Sequence, residues 1–324
     1  MSSNLQKIYN FMYAIEQIYV SFQERRPKGG AKKTYTHTSF ILFFIGMFLK
    51  GIFSFKRMEK ILKTDYEAYG FPKSPSRKTI RRRFHQLPPV IMYMIPQIAI
   101  YCYKNICHQT FNLKCLFSDK SIFRAKGGLW HKKHMEAGIV PHPSIDTDAS
   151  WAKSPYHQWR FGYSLLILTN QNRFPVAVMA DTATLNEAAQ LPKVLKPIFK
   201  FVGVVVGDAA YKVYAVINEL FEKYSILLLT KTKIKNTSMK WYKDFVNHPI
   251  ALYTYAKRKP SVEPTFALIK ELFNLKGEAQ LPYKGKKYVI PFLLITAITI
   301  QIMAIYNYTN HQNLGCCFEF RRLF

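Results

Sequence analysis

Acidic residues are scarce in this chain: 19 Asp and Glu stand against 47 Lys and Arg in 324 residues, a formal net charge of +28. Folding gains nothing from such self-repulsion. The simplest compensation is a polyanionic partner, because each phosphate met by Lys or Arg releases counterions and adds affinity without reading sequence. Cysteine is also sparse. Cys102, Cys107, Cys115, Cys316 and Cys317 are odd in number, with no CxxC pair and no His at zinc-finger spacing. That argues against a disulfide framework and points to reduced thiols in a reducing cytoplasm. Long apolar runs are missing too. The stretches 39–53 and 90–103 fall short of the roughly 20 residues a membrane-spanning helix needs, and 289–306 is interrupted by Pro291, Thr296, Thr299 and Gln301. Basic residues flank all three on both sides, so no charge asymmetry would orient a span, and buried core helices are expected with no membrane partner. No cationic segment followed by an apolar stretch opens the chain, which argues against secretion.

What is present is a core: 49% of residues are hydrophobic and 15% aromatic, enough for two or three domains. The pattern divides into an N-terminal helix and basic linker (1–37), a helical region (38–110), an α/β region (111–310) and a C-terminal tail (311–324). Glu24 to Lys33 is basic and rich in turn formers, as a link would be. From Thr38 to Gln86 the apolar period is helical and predicts three short helices, with Gly70, Pro72 and Pro75 breaking the last two apart. In the third, Ser76 suits an N-cap and Ile80, Phe84 and Leu87 form the packing stripe. Arg77, Lys78, Arg81, Arg82 and Arg83 are assigned to the remaining faces. A short basic helix behind two core helices is the arrangement of a helix-turn-helix, which predicts an all-α DNA-binding domain; a solvated basic helix is the plainer alternative.

From Lys114 the period becomes strand-like. Residues 114–123, 161–169 and 174–180 read as strands, 185–199 as a helix, 201–207 as a nearly all-apolar strand, 213–224 as a helix and 226–230 as a strand. The order is β-β-β-α-β-α-β-α. Runs such as Val204, Val205 and Val206 suit strands buried on both faces, hence a mixed sheet with helices on each side.

Three acids fall at telling places in that order: Asp119 in the first strand, Asp208 just after the fourth, and Glu263 near the start of the helix after the fifth. Convergent carboxylates suit hard divalent cations, Mg²⁺ or Mn²⁺, and paired cations can activate an attacking oxygen and stabilise a leaving one in phosphoryl transfer. Singly, each acid has an ordinary explanation as a turn cap, strand end or helix-dipole partner; jointly they do not. Asp146, Asp148 and Asp181 are further carboxylates, with Asp148 the alternative first ligand. His131, His134 and His142 lack a nearby cysteine to complete a zinc site, and the segment from Trp130 to His134 reads as a hairpin contacting DNA.

Over roughly 114–308 the sequence resembles the DDE-type transposases of bacterial and archaeal insertion sequences. The resemblance rests on Phe117-Ser-Asp119-Lys-Ser, on Val206-Gly-Asp208-Ala-Ala-Tyr211, and on Tyr255, Arg258, Glu263 and Lys270. These last four follow a signature of Tyr, two residues, Arg, three residues, Glu, six residues, Lys, except that four residues separate Arg258 from Glu263. Lys259 sits at the signature distance, so both Arg258 and Lys259 are candidates for its phosphate-clamping role. Lys120 also departs, where relatives carry a small or hydroxyl residue. The resemblance implies an RNase H-like sheet whose first and fourth strands are neighbours, catalytic and metal-binding Asp119, Asp208 and Glu263, DNA contacts from Tyr255 and Lys270, and a synaptic homodimer holding double-stranded transposon ends and target. The 55 residues from Asp208 to Glu263 leave no room for the β-rich insertion of some relatives; Lys231, Lys233, Lys235, Lys240, Trp241 and Lys243 suggest a basic DNA-facing loop instead. The rival reading is a non-catalytic DNA-binding protein descended from a transposase.

Overall fold

The computed structural model describes residues 2–23, 34–154, 158–230, 240–277 and 279–324. The link from Glu24 to Lys33 and the basic residues Lys231, Lys233 and Lys235 lie outside them. Four helices come first: α1 (Ser3–Gln23), α2 (His37–Leu49), α3 (Phe55–Asp65) and α4 (Arg77–Asn105). Almost all of α2 is buried, so its N-terminal N–H groups cannot turn to water and need acceptors. Thr36 Oγ1 accepts from the Ser39 N–H at 3.0 Å, and the buried Glu16 carboxylate of α1 accepts from the His37 and Thr38 N–H groups at 2.7 and 2.8 Å.

The third of the helices expected from sequence is longer than its pattern suggested. Instead of ending near Leu87, α4 runs 29 residues through Pro88, Pro89 and Pro96. A proline removes one intrahelical donor but its fixed φ is helical. What carries the helix onward is the stripe Ile80, Phe84, Leu87, Ile91, Met94, Ile98 and Cys102, which keeps its three- and four-residue spacing past the prolines and is buried throughout. The apolar stretch 90–103, expected as a separate core helix, is the second half of α4.

The α/β region follows with β1 (Cys115–Arg124), α5 (Lys132–Glu136), β2 (Ser150–Ser154), β3 (Gln158–Thr169), β4 (Pro175–Thr182), α6 (Glu187–Leu195), β5 (Val204–Gly207), α7 (Tyr214–Tyr224) and β6 (Leu227–Thr230). Then come α8 (Lys240–Asn247), α9 (Pro249–Ala256), α10 (Arg258–Leu272), α11 (Lys286–Thr309) and α12 (Phe318–Arg321). The strand order is β2-β3-β1-β5-β6, with β4 also on β3. β1 is antiparallel to β3 and parallel to β5, and β5 is parallel to β6, so the sheet is mixed. β2 and β4 share one edge of β3, β2 along its first residues and β4 along the rest. α10, α11 and α4 pack with β1, β3 and β4, while α6 and α7 pack on β4 and β6.

α11 is long and apolar enough to cross a membrane, but 83% of its most apolar window is buried inside the fold. A buried amide near its middle shows why it belongs there: Gln301 Nε2 donates to the carbonyls of Ile95 on α4 and Pro175 on β4, at 2.8 and 2.9 Å. The side chain tying three elements together is one that a lipid-facing helix would leave unsatisfied. The expectation of a closing helix packed on the sheet is met.

Candidate active site

Parallel pairing sets the first two acids side by side. Cys115, Leu116 and Phe117 of β1 lie opposite Val204, Val205 and Val206 of β5; carried on two residues, the same register brings Asp208 level with Asp119. Asp208 leaves the strand in an extended conformation and its Oδ1 accepts the Ala210 N–H at 2.8 Å, capping a 3₁₀ turn. That turn swings Tyr211 back onto Gly207. A Cβ at Gly207 would lie 2.5 Å from the Tyr211 ring, so only glycine admits it. The buried Tyr211 hydroxyl then meets the Ser118 hydroxyl at 2.7 Å, next to Asp119. Gly207 and Tyr211, which in the sequence merely flank the second acid, therefore fix the two aspartates relative to each other.

Asp119 and Lys120 point to opposite faces, as successive strand residues must. Asp119 faces α10. Lys120 faces α6, where its ammonium lies 3.1 Å from Glu187 Oε1 and donates to the Leu185 carbonyl at 2.9 Å. The unusual lysine is thus a half-buried strut under the sheet. Its partner Glu187 does not stand out in the sequence, since nothing in an amphipathic helix marks one acid as inward. Burial raises the Glu187 carboxyl and Lys120 opposes this, while Asp208 and Asp119 push it further up.

α10 supplies the third acid and a cation. Its first turn is held by the β3–β4 loop: Pro264 has no N–H to give the Pro260 carbonyl, and Arg173 Nε donates to it instead at 3.2 Å. Thr169 Oγ1 donates to the Ser261 carbonyl at 3.0 Å. Arg258, 8% exposed, reaches Asp119, its Nη1 3.4 Å from Oδ2. Lys259 is exposed. Of the two candidates, it is Arg258 that faces the carboxylates, with Tyr255 close to it. Glu263 is exposed at the rim. Lys270 lies over the Phe123 ring at 5.8 Å, and burial lowers its ammonium pKa with help from Arg160.

Burial drives the Asp119 carboxyl upward; Arg258 and the Lys120 N–H pull it down, and Asp208 and Glu263 push it up again. Asp208 and Glu263 are therefore near enough to Asp119 to oppose its ionisation, which a cation placed among the three would relieve. Their chemistry suits a hard divalent ion, as three carboxylates offer only oxygen. Their spacing here is not that of a closed cage: among the described residues no group of three or more His, Cys, Asp or Glu is placed to hold a metal. Asp119 is instead engaged by Arg258 and by the Lys120 N–H, which donates to Oδ1 at 2.9 Å.

The remaining carboxylates have other work. Asp146 is buried, accepts from the Tyr163 hydroxyl at 3.0 Å and, through Oδ2, from the Gly285 N–H at 2.8 Å; Asp148 accepts from the Lys286 N–H at 2.9 Å. Together they cap α11, and Lys286 pairs with Asp181 at 2.6 Å. Asp148 is a helix cap in this fold. His131 and His134 flank and enter the short helix α5, which stands where a hairpin was expected. Trp241 and Lys243, expected on a loop, lie on α8, with Trp241 stacked on Phe221 at 4.7 Å.

At the start of α4, Ser76 Oγ accepts the Thr79 N–H at 3.4 Å and Glu59 Oε1 takes the Arg77 N–H at 2.6 Å. Arg77, Lys78, Arg81 and Arg82 are exposed, and the first three line a cleft of about 610 Å³ with Phe55, Glu59, Ser76 and Tyr288. Arg83 departs from the expected cationic face. It is buried, donates to the Tyr35 carbonyl at 3.3 Å and lies over Phe40, because its position three residues after Ile80 and four before Leu87 puts it on the packing stripe.

The transposase DDE domain family matches residues 119–277, a span that contains Asp119, Asp208 and Glu263. No curated protein matches. Among solved structures, the piggyBac transposase synaptic complex with hairpin DNA is 10% identical, over 99% of this chain and 76% of that one, with a TM-score of 0.45. The Mos1 transposase paired-end complex with the left transposon end is 12% identical, over 89% and 85%, with a TM-score of 0.23. Both scores are too low to carry weight. The family match stands on the sequence itself, and it accords with an N-terminal helical region followed by a mixed, helix-flanked sheet: across residues 119–277 the chain carries a transposase DDE domain of RNase H-like fold.

Proposed function

We propose that this chain is a DNA transposase that binds double-stranded transposon ends, cuts them and joins them to target DNA. The observation that carries the reading is the parallel register that brings Asp208, just past the end of β5, level with Asp119 on β1, with Glu263 within electrostatic reach of Asp119, inside the matched family domain. Asp119, Asp208 and Glu263 would hold Mg²⁺ or Mn²⁺, which supplies Lewis-acid activation of the attacking oxygen and charge relief at the leaving one. The chain's own residues prepare that chemistry. Ser118 and Tyr211 fix the strand ends, Arg258 and Lys270 bring positive charge beside Asp119, and Tyr255 lies near Arg258. Arg77, Lys78, Arg81 and Arg82 form an exposed face suited to phosphates and grasp the duplex within a helical DNA-binding domain. Two copies hold two ends in a synaptic homodimer, working on nucleoid DNA in the cytoplasm.

The test is a joining assay: a labelled end duplex with a free 3′-OH, supercoiled plasmid, Mg²⁺, and the protein or its Glu263→Gln variant. Wild-type protein should transfer the label to plasmid and Glu263→Gln should not. Binding without any transfer by the unmodified chain would favour the non-catalytic, DNA-binding descendant.

A further inference from the structure

We propose that in the DNA-free chain the Arg258 guanidinium holds the place a divalent cation needs at Asp119, and that a DNA phosphate opens the site by drawing Arg258 away. This rests on the assignment of Asp119 as a metal ligand. Both carboxylate oxygens of Asp119 are engaged, Oδ2 by Arg258 at 3.4 Å and Oδ1 by the Lys120 N–H at 2.9 Å. The pair is well shielded, with side-chain exposures of 10% for Arg258 and 20% for Asp119. A guanidinium does not lose its proton in this pH range, so it cannot make room for a dication by becoming neutral. Two cations sharing one partly buried carboxylate repel strongly, and one of them must leave.

Arg258 is equipped to leave toward a phosphate. Its Nε and Nη1 are buried and have no hydrogen-bond acceptor among the described residues, although a buried guanidinium ordinarily spends its donors. The ion pair with Asp119 holds it, with added attraction from Asp208 and Glu263. A phosphodiester offers what Asp119 in this position does not: two oxygens both free to meet the planar fork, whereas Asp119 Oδ1 already accepts from the Lys120 N–H. Arg258 stands at the first turn of α10, between Lys257 and the exposed Lys259, where a backbone phosphate would be drawn. The exchange makes cation binding conditional on DNA, so that a nuclease site is not loaded before its substrate is held. A purely structural pair, which simply fastens α10 to β1, would show no such coupling.

Mn²⁺ binding, followed through the electron paramagnetic resonance signal of the free ion, reads this without any turnover. The chains are the wild type, Arg258→Met, which keeps the aliphatic stem, Arg258→Gln and Asp119→Asn, each checked by thermal unfolding and measured with and without a duplex. Ions held by the DNA itself are subtracted using the Asp119→Asn complex. Wild-type protein should bind Mn²⁺ weakly alone and about tenfold more tightly, or better, with duplex, the order expected when one shielded ion pair is displaced. Arg258→Met and Arg258→Gln should bind tightly without DNA and gain little from it. Equal Mn²⁺ affinity for wild type and both folded Arg258 variants in the absence of DNA would overturn the exchange. If Asp119→Asn instead binds Mn²⁺ as the wild type does, it is the assignment of Asp119 as a ligand that fails.

Discussion

The hydroxyls of Tyr211 and Ser118 lie 2.7 Å apart in the core, and this hydrogen bond ties the turn that follows Asp208 to the strand that carries Asp119. Tyr211→Phe leaves Ser118 buried without that partner and should cost about 1–2 kcal/mol of stability. Gly207→Ala should cost more, about 1–3 kcal/mol, because its Cβ would meet the Tyr211 ring at 2.5 Å and displace the ring together with its hydroxyl. Urea titrations of the two variants check the order. Equal stability of Gly207→Ala and wild type would show that the turn has room the structure denies it.

The basic face of α4 and its inward arginine should part company. Replacing Arg77, Arg81 and Arg82 by Ala should leave the fold intact and lower the salt dependence of duplex binding by about 0.9 in log–log slope for each phosphate no longer neutralised. Arg83→Ala should do the reverse, destabilising the protein by removing the hydrogen bond to the Tyr35 carbonyl and the packing over Phe40 while leaving the slope unchanged. Fluorescence-anisotropy titrations at several salt concentrations, beside thermal melts, separate the two.

Much of the fold is legible in the sequence, and the exceptions have physical causes. The buried strands β1, β3, β4, β5 and β6 announce themselves as short apolar runs, and Asp119, Asp208 and Glu263 stand out because acids are scarce. β2 escapes a reading by pattern because Ser150 to Ser154 is short, only partly apolar, and paired on one side by β3. Pro88 and Pro89 suggest a stop that the continuing stripe of α4 overrides. Arg83 is legible in principle, since Ile80, Phe84 and Leu87 already define a face that includes it. The pairing of Arg258 with Asp119 is not: it depends on two further helices, α8 and α9, between β6 and α10.

Asp119 also predicts a pH dependence of unusual sign. Its carboxyl is raised in the fold, chiefly by burial, so the folded state holds the proton more tightly than the unfolded chain. Stability from this group is therefore full below the ordinary carboxyl pKa, about 3.9, and is lost as pH rises through the raised folded value. Relative to Asp119→Asn, metal-free wild type should be most stable at the acid end of that window and lose ground above it. Denaturation midpoints of both proteins across the window read the difference; a wild-type advantage that grows with pH would mean that the Arg258 pair outweighs burial.

Gln301 makes a separate test of α11 as a core helix. Gln301→Leu keeps much of the volume but strips a donor from the Ile95 and Pro175 carbonyls, and should cost about 1–3 kcal/mol. A neutral or stabilising effect in urea would argue that these carbonyls are satisfied in another way.

Cleavage of a labelled transposon-end duplex in Mg²⁺ by wild type and Asp208→Asn, with binding to the same duplex measured alongside, decides whether the paired acids are catalytic. Asp208→Asn keeps the side chain's size and can keep the cap on Ala210, but removes one charge from the proposed metal site. Duplex affinity should be unchanged and cleavage undetectable. Wild-type cleavage rates in Asp208→Asn would contradict the assignment of these acids to the chemistry.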